Sequence, residues 1–82
     1  MDRSQTPDRA DLAAIRWRAP DGTPVSCVEK LKILTDNLIE LREIAQEAFE
    51  DALVIGCDEG QIREVLGTLI AELRNPYGEG SR

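Results

Sequence analysis

Residues 26–56 read SCVEKLKILTDNLIELREIAQEAFEDALVIG, and apolar residues recur in this stretch in unbroken steps of four and three. This period is typical of an α-helix that packs against another helix along a narrow apolar seam. We therefore expect one long amphipathic helix over about 27–55, with the seam as the interface of a dimer. The seam residues predicted to form this interface are Leu31, Leu34, Leu38, Leu41, Ala45, Ala48, Ala52 and Ile55, and Cys27 continues the pattern at the N-terminal end.

Local signals mark where the helices begin and end. Ser26 followed by Glu29 is a capping-box pattern, and Gly56 is a natural stop because glycine adopts the left-handed conformation that closes a helix. Asp58 then predicts the N-cap of a second, shorter helix over about 59–74, which ends before Pro76. The connection is short, so we expect an antiparallel helical hairpin in an all-α fold.

The seam is graded in size, with a leucine half over residues 31–41 and an alanine half over residues 45–52. An antiparallel dimer would place Leu34 against Ala52 and Leu38 against Ala48 of the second copy, which interdigitates large with small side chains. A parallel dimer would place leucine against leucine and alanine against alanine. A third arrangement folds the second helix over the alanine half within one chain and leaves the leucines to the N-terminal arm or to a second copy. Further apolar residues off the seam widen the buried arc and favour a dimeric bundle; they are Ile33, Ile39, Ile44, Phe49, Leu53 and Val54.

Composition limits the classes of function. The 82 residues carry a formal charge of −6, contain no histidine, and place the acidic excess in the helical part. That charge repels nucleic acid. We expect no cofactor, no metal and no catalysis, because a general base of the usual kind and a phosphate-binding loop are both missing. No apolar run is long enough to cross a bilayer, and the N-terminus does not read as a signal peptide, so we expect a cytoplasmic protein.

The N-terminal arm, residues 1–25, is expected to be partly disordered, ahead of a helical hairpin domain at 26–76 and a disordered tail at 77–82. Thr6-Pro7 offers a start for a short helical turn through Ile15, and the run Ala19-Pro20-Asp21-Gly22-Thr23 predicts a turn. The arm is therefore either extended or β-hairpin-like. Trp17, flanked by Arg16 and Arg18, either covers the open end of the helical core or anchors a partner protein.

Four glutamates form a carboxylate stripe on the long helix at spacings of three, four and three: Glu40, Glu43, Glu47 and Glu50. Such a stripe can in principle hold divalent ions, but carboxylate metal bundles also use histidine. A solvated helix face that meets a basic partner protein is the interpretation we favour.

Cys27 and Cys57 bracket the long helix, about 45 Å apart if it is straight, so they cannot pair within one chain. In an antiparallel dimer they approach each other between copies, which allows a redox-linked dimer as well as plain reduced thiols.

Ala52, Gly56 and Ile62, with apolar Ile55, Cys57 and Val65 around them, resemble the signature of the helix-turn-helix family over about twenty residues. The resemblance implies that the second helix enters the major groove of DNA. The residues that would meet the DNA carry a net negative charge, whereas phosphates require Lys and Arg; they are Asp58, Glu59, Gly60, Gln61, Arg63 and Glu64.

The sequence thus predicts a homodimeric adaptor or accessory regulator of a larger protein, with a DNA-binding regulator as the alternative.

Overall fold

The computed structural model describes residues 8–78, which are 66% helical and contain three helices and no strand. The helices are α1 (Asp8–Ala13), α2 (Val28–Ile55) and α3 (Glu59–Ala71). The all-α prediction is confirmed. The outer ends of the predicted arm and tail, residues 1–7 and 79–82, lie outside the described residues.

Helix α2 is continuous over 28 residues. It contains neither glycine nor proline, the two residues that most oppose a helix. Side-chain pairs four residues apart support it: the Lys32 ammonium lies 2.8 Å from the Asp36 carboxylate, and the Gln46 amide donates to Glu50 at 2.8 Å. Local chemistry therefore suffices to explain why this segment is helical.

The start of α2 differs from the capping box predicted at Ser26. The first α-helical hydrogen bond runs from the Leu31 N–H to the Cys27 carbonyl at 2.9 Å, which makes Cys27 the N-cap. The Cys27 sulfur also accepts hydrogen bonds from the backbone N–H groups of Lys30 and Glu29. The helix therefore begins at Val28, one residue later than predicted. Before it, the Val25 N–H donates to the Trp17 carbonyl at 3.0 Å.

The junction of α2 and α3 confirms the predicted stop and restart. Gly56 has φ +109°, and the N–H groups of Gly56 and Cys57 donate to the carbonyls of Leu53 and Ala52, both at 3.0 Å. These two bonds make a Schellman motif, which satisfies carbonyls at the end of α2. Asp58 then caps α3, since its carboxylate accepts from the Gln61 N–H at 2.9 Å.

Helix α3 ends at Ala71, three residues earlier than predicted. The chain beyond it is organised by Asn75, whose side-chain oxygen accepts from the Tyr77 N–H at 2.8 Å and whose amide donates to the Gly78 carbonyl at 3.1 Å. Pro76 also disfavours a helical conformation at the residue before it. Leu73 and Arg74, which the apolar period assigned to the helix, lie between its C-cap at Glu72 and this turn.

The chain divides into two compact units, Met1–Glu43 and Ile44–Arg82, and α2 contributes to both. In the N-terminal unit, α1 is tied to α2 by two ion pairs, Arg9 with Asp36 and Asp11 with Arg42. These partners lower the pKa of both carboxyls: for Asp11 mainly the hydrogen bond from Arg42, and for Asp36 first that from Lys32 and then Arg9.

Burial is slight across the described residues. The buried apolar side chain is Ile62, 7% exposed, and the buried polar one is Thr35. Thirteen large apolar residues are exposed instead, including Ile33, Leu41, Ile44 and Ile55. Single exposed apolar residues are ordinary, whereas so many beside so small a core are unusual for a chain of this kind.

Candidate interaction surface

The predicted dimer seam on α2 is partly covered by its own chain. Five of its residues are half-buried and three are exposed. The half-buried set is Leu31, Leu34, Leu38, Ala45 and Ala52, and the exposed set is Leu41, Ala48 and Ile55. Leu41 and Ile55 are 45% and 79% exposed. The seam therefore keeps exposed apolar surface, and its role as a dimer interface stays a prediction.

The C-terminal unit contains an apolar groove of about 260 Å³, which we call the α2/α3 groove. Small residues of α2 form one wall and aliphatic residues of α3 the other. Its lining is Ala48, Ala52, Cys57, Gln61, Ile62, Val65 and Leu66. Because the α2 wall is built of alanines, the groove has room for the apolar side chains of another helix.

A cation–π contact joins α2 and α3. The Arg63 guanidinium lies over the Phe49 ring, 4.7 Å from its centroid, and its Nε donates to the Glu59 carboxylate at 3.0 Å. A cation on a ring face is attracted by the ring quadrupole. No local sequence pattern predicts this pair, because its members lie fourteen positions apart.

The C-terminal unit, which contains the groove, is acidic in its described residues. Residues 44–78 carry seven carboxylates against two cations, Arg63 and Arg74, and neither helix has a basic residue in its last turn. The carboxylates are Glu47, Glu50, Asp51, Asp58, Glu59, Glu64 and Glu72. Residues 8–43 are nearly balanced, with seven carboxylates and six cations. The C-terminal unit is therefore the part of the chain that attracts positive charge.

The carboxylate stripe is fully on the surface: Glu40, Glu43, Glu47 and Glu50 are all exposed. Within residues 8–78, no three His, Cys, Asp or Glu side chains are grouped as a metal site would require. The stripe thus presents charge to solvent along α2, as a surface for a basic partner would.

The arm around Trp17 is shaped by a turn. The Ala19 N–H donates to the Thr23 carbonyl at 2.7 Å, and Arg18 and Pro24 form an isolated antiparallel bridge. Asp21 accepts from the backbone and hydroxyl of Thr23, which lowers the pKa of its carboxyl. Trp17 is half-buried, whereas Arg16 and Arg18 are exposed.

Both cysteines are exposed free thiols. At Cys27 the hydrogen bonds from the backbone N–H groups of Lys30 and Glu29 favour the thiolate and lower the pKa of the thiol. Cys57 lies in the α2/α3 groove. Each thiol therefore marks one end of α2 and is accessible to reagents.

Two of the residues that resemble a helix-turn-helix have structural roles in this chain. Gly56 closes α2 and Ile62 is the buried apolar residue, so both are required for the fold itself. The start of α3, where DNA would be met, is exposed and carries Asp58, Glu59 and Glu64 beside Arg63, which is paired with Glu59. Like charges there oppose contact with phosphates.

Comparisons with protein families, with curated proteins and with solved structures each find no match to this chain. In the described residues, no helix has the length and apolar character that crossing a membrane demands. The described residues of α2 and α3 expose large apolar side chains, among them Ile44, Leu53, Val65 and Leu69.

Proposed function

We propose that this chain is a small helical protein–protein interaction module, an adaptor or accessory regulator that acts as a homodimer in the cytoplasm. In this proposal α2 and α3 form an antiparallel hairpin, and the seam on α2 meets a second copy. One observation carries the proposal: thirteen large apolar side chains are exposed in the described residues, against the single buried apolar residue Ile62. A surface of that kind is typical of a protein that completes its core with a partner.

The partner of the dimer is a larger protein with basic character. The carboxylate stripe of Glu40, Glu43, Glu47 and Glu50 attracts such a protein, and the exposed Arg16 and Arg18 beside Trp17 offer a second contact on the arm. Trp17 is half-buried, so its own chain covers part of the ring. The exposed Arg16 and Arg18 are therefore more accessible to a partner than Trp17 is.

Light scattering tests the homodimer directly. We expect a solution mass of twice the 9.1 kDa chain. Leu41→Ser removes an exposed seam residue from both copies, and burying that exposed part is worth about 2 kcal/mol per dimer, so the dissociation constant should rise about 30-fold.

Val28→Ser is the matched control. Val28 is 78% exposed and lies on α2 about 140° around the helix from Leu41. This variant should keep the dimer mass at every concentration at which the native chain does. A native chain that is monomeric at high micromolar concentration, or a dimer equally weakened by both substitutions, would contradict the proposal.

A further inference from the structure

One wall of the α2/α3 groove is formed by small side chains. Ala48 and Ala52 form the α2 side, and Val65 of the α3 side is 54% exposed. Two alanines one turn apart allow another helix to approach closely and to place large side chains over them. The groove is therefore shaped for a helix that presents leucines.

The leucine half of α2 has the side chains that this shape requires. Leu34 and Leu38 are half-buried and Leu41 is 45% exposed, so each keeps an open side. Their spacing of four and three residues places them along one stripe of the helix. In an antiparallel pairing, Leu34 comes over Ala52 and Leu38 over Ala48 of the other copy, so that each large side chain meets a small one.

Charge distinguishes this pairing from a parallel one. The end of α2 has no cation in its last turn to offset the negative end of the helix dipole, and Asp51 and Asp58 add further negative charge there. Lys30 lies in the first turn of α2, on the side of the helix that carries Leu41, and it is exposed. An antiparallel partner brings Lys30 to the acidic end, whereas a parallel partner sets Lys30 beside Lys30 and Asp51 beside Asp51.

We propose that the α2/α3 groove of each copy receives the leucine half of α2 from a second copy, in antiparallel orientation. This inference rests on the homodimer proposed above and names its contact surfaces. The exchange is reciprocal, so the interface is two-fold symmetric and uses the same patch on both copies. It also places Cys27, at the N-cap of α2, beside Cys57 in the groove of the partner copy.

The two native thiols supply the test. A short bismaleimide is added to the native protein at a concentration where light scattering shows a dimer, and the products are separated under denaturing conditions. The variants Cys27→Ser and Cys57→Ser are treated in the same way, alone and after mixing. Both thiols are exposed, and serine is itself a good N-cap, so neither variant should lose the fold. A link between the two thiols of one chain leaves the mass of a monomer under denaturing conditions, so only links between copies are counted.

We expect a covalent dimer from the native chain, none from either variant alone, and recovery of the covalent dimer when the two variants are mixed. A covalent dimer formed by one variant alone would show that the same end of α2 from each copy lies together. That result would overturn the antiparallel pairing in the groove, while leaving the homodimer intact. A dimer that gives no link in any sample would overturn the groove pairing in the same way. A chain found to be monomeric before the reagent is added would instead contradict the proposed homodimer, and the pairing with it.

Discussion

Cys27 shows how a single residue takes its chemistry from the end of a helix. Two backbone N–H groups, of Lys30 and Glu29, point at its sulfur and lower the pKa of the thiol. Cys27 is the remaining thiol in the Cys57→Ser variant, and its rate of alkylation by iodoacetamide should rise as the pH is raised. We expect the midpoint of that rise to lie at a lower pH in the folded variant than in the urea-unfolded variant. Stopped alkylation followed by mass spectrometry over a series of pH values measures both midpoints.

The same effect has a consequence for stability. A thiol with a lowered pKa stabilises the folded state fully above the ordinary thiol pKa of about 8.5, and loses that contribution as the pH falls through the lowered value. The native chain should therefore gain stability over Cys27→Ser as the pH is raised toward 9. Coincident midpoints in the folded and unfolded chain would show that the N–H groups do not act on the thiolate.

At this scale the sequence was informative wherever both members of an interaction lie within a few residues. Asp58 with Gln61 and the stop at Gly56 were predictable, since each is complete within six residues. The N-cap of α2 was predicted at Ser26 and lies at Cys27. Serine is the more usual N-cap residue, so a pattern of caps selects Ser26, whereas the Leu31 N–H bonds to the Cys27 carbonyl.

The junction between α2 and α3 is the element whose stability depends most on one glycine. Gly56 has φ +109°, and nothing lies within 4 Å of a Cβ built there, so a substitution suffers from backbone strain rather than from a clash. Gly56→Ala should lower the free energy of unfolding by about 1–2 kcal/mol. Urea unfolding followed by circular dichroism, at one fixed protein concentration, measures the change.

Gly67→Ala is the matched control for that substitution. Gly67 lies within α3 and likewise has nothing within 4 Å of a built Cβ, but its φ is not positive. Alanine is preferred to glycine in a helix, so this variant should be more stable by about 0.5–1 kcal/mol. The two glycines should thus respond with opposite signs. A loss of stability in both, or in neither, would mean that φ at Gly56 does not limit the junction.

The lengths of the elements were predictable to within a turn, and the contacts between them were not. The apolar period placed α2 over about 27–55, and the structure has Val28–Ile55. It extended α3 to 74, because Leu73 continues the apolar stripe, whereas the helix ends at Ala71 and a turn follows at Asn75. Periodicity reports which side of a helix is apolar, and it contains no information about competing turns.

For the whole molecule, the sequence identified an apolar seam but not how much of it its own chain covers. Leu31, Leu34 and Leu38 are half-buried in the N-terminal unit, where ion pairs from α1 to Asp36 and Arg42 hold the arm against α2. Those pairs join residues about thirty positions apart, beyond the range of any local pattern. Leu41 and Ile44 stay exposed, so the degree to which the chain covers its own apolar residues differs along α2, and periodicity does not report that difference.

A chain with one buried apolar residue in its described part should depend on its concentration for stability. If dimerisation completes the core, unfolding and dissociation occur together, and a 100-fold dilution removes about 2.7 kcal/mol from the stability of the dimer. For two 82-residue chains this lowers the melting temperature by about 5–10 °C. Differential scanning fluorimetry at 2 and 200 µM, on the order of the range where such dimers form, measures the shift. Leu41→Ser should melt lower than the native chain at both concentrations, and Val28→Ser should follow the native chain. A melting temperature that is the same at both concentrations would show that each chain is stable alone, and its exposed apolar residues would then require a different partner.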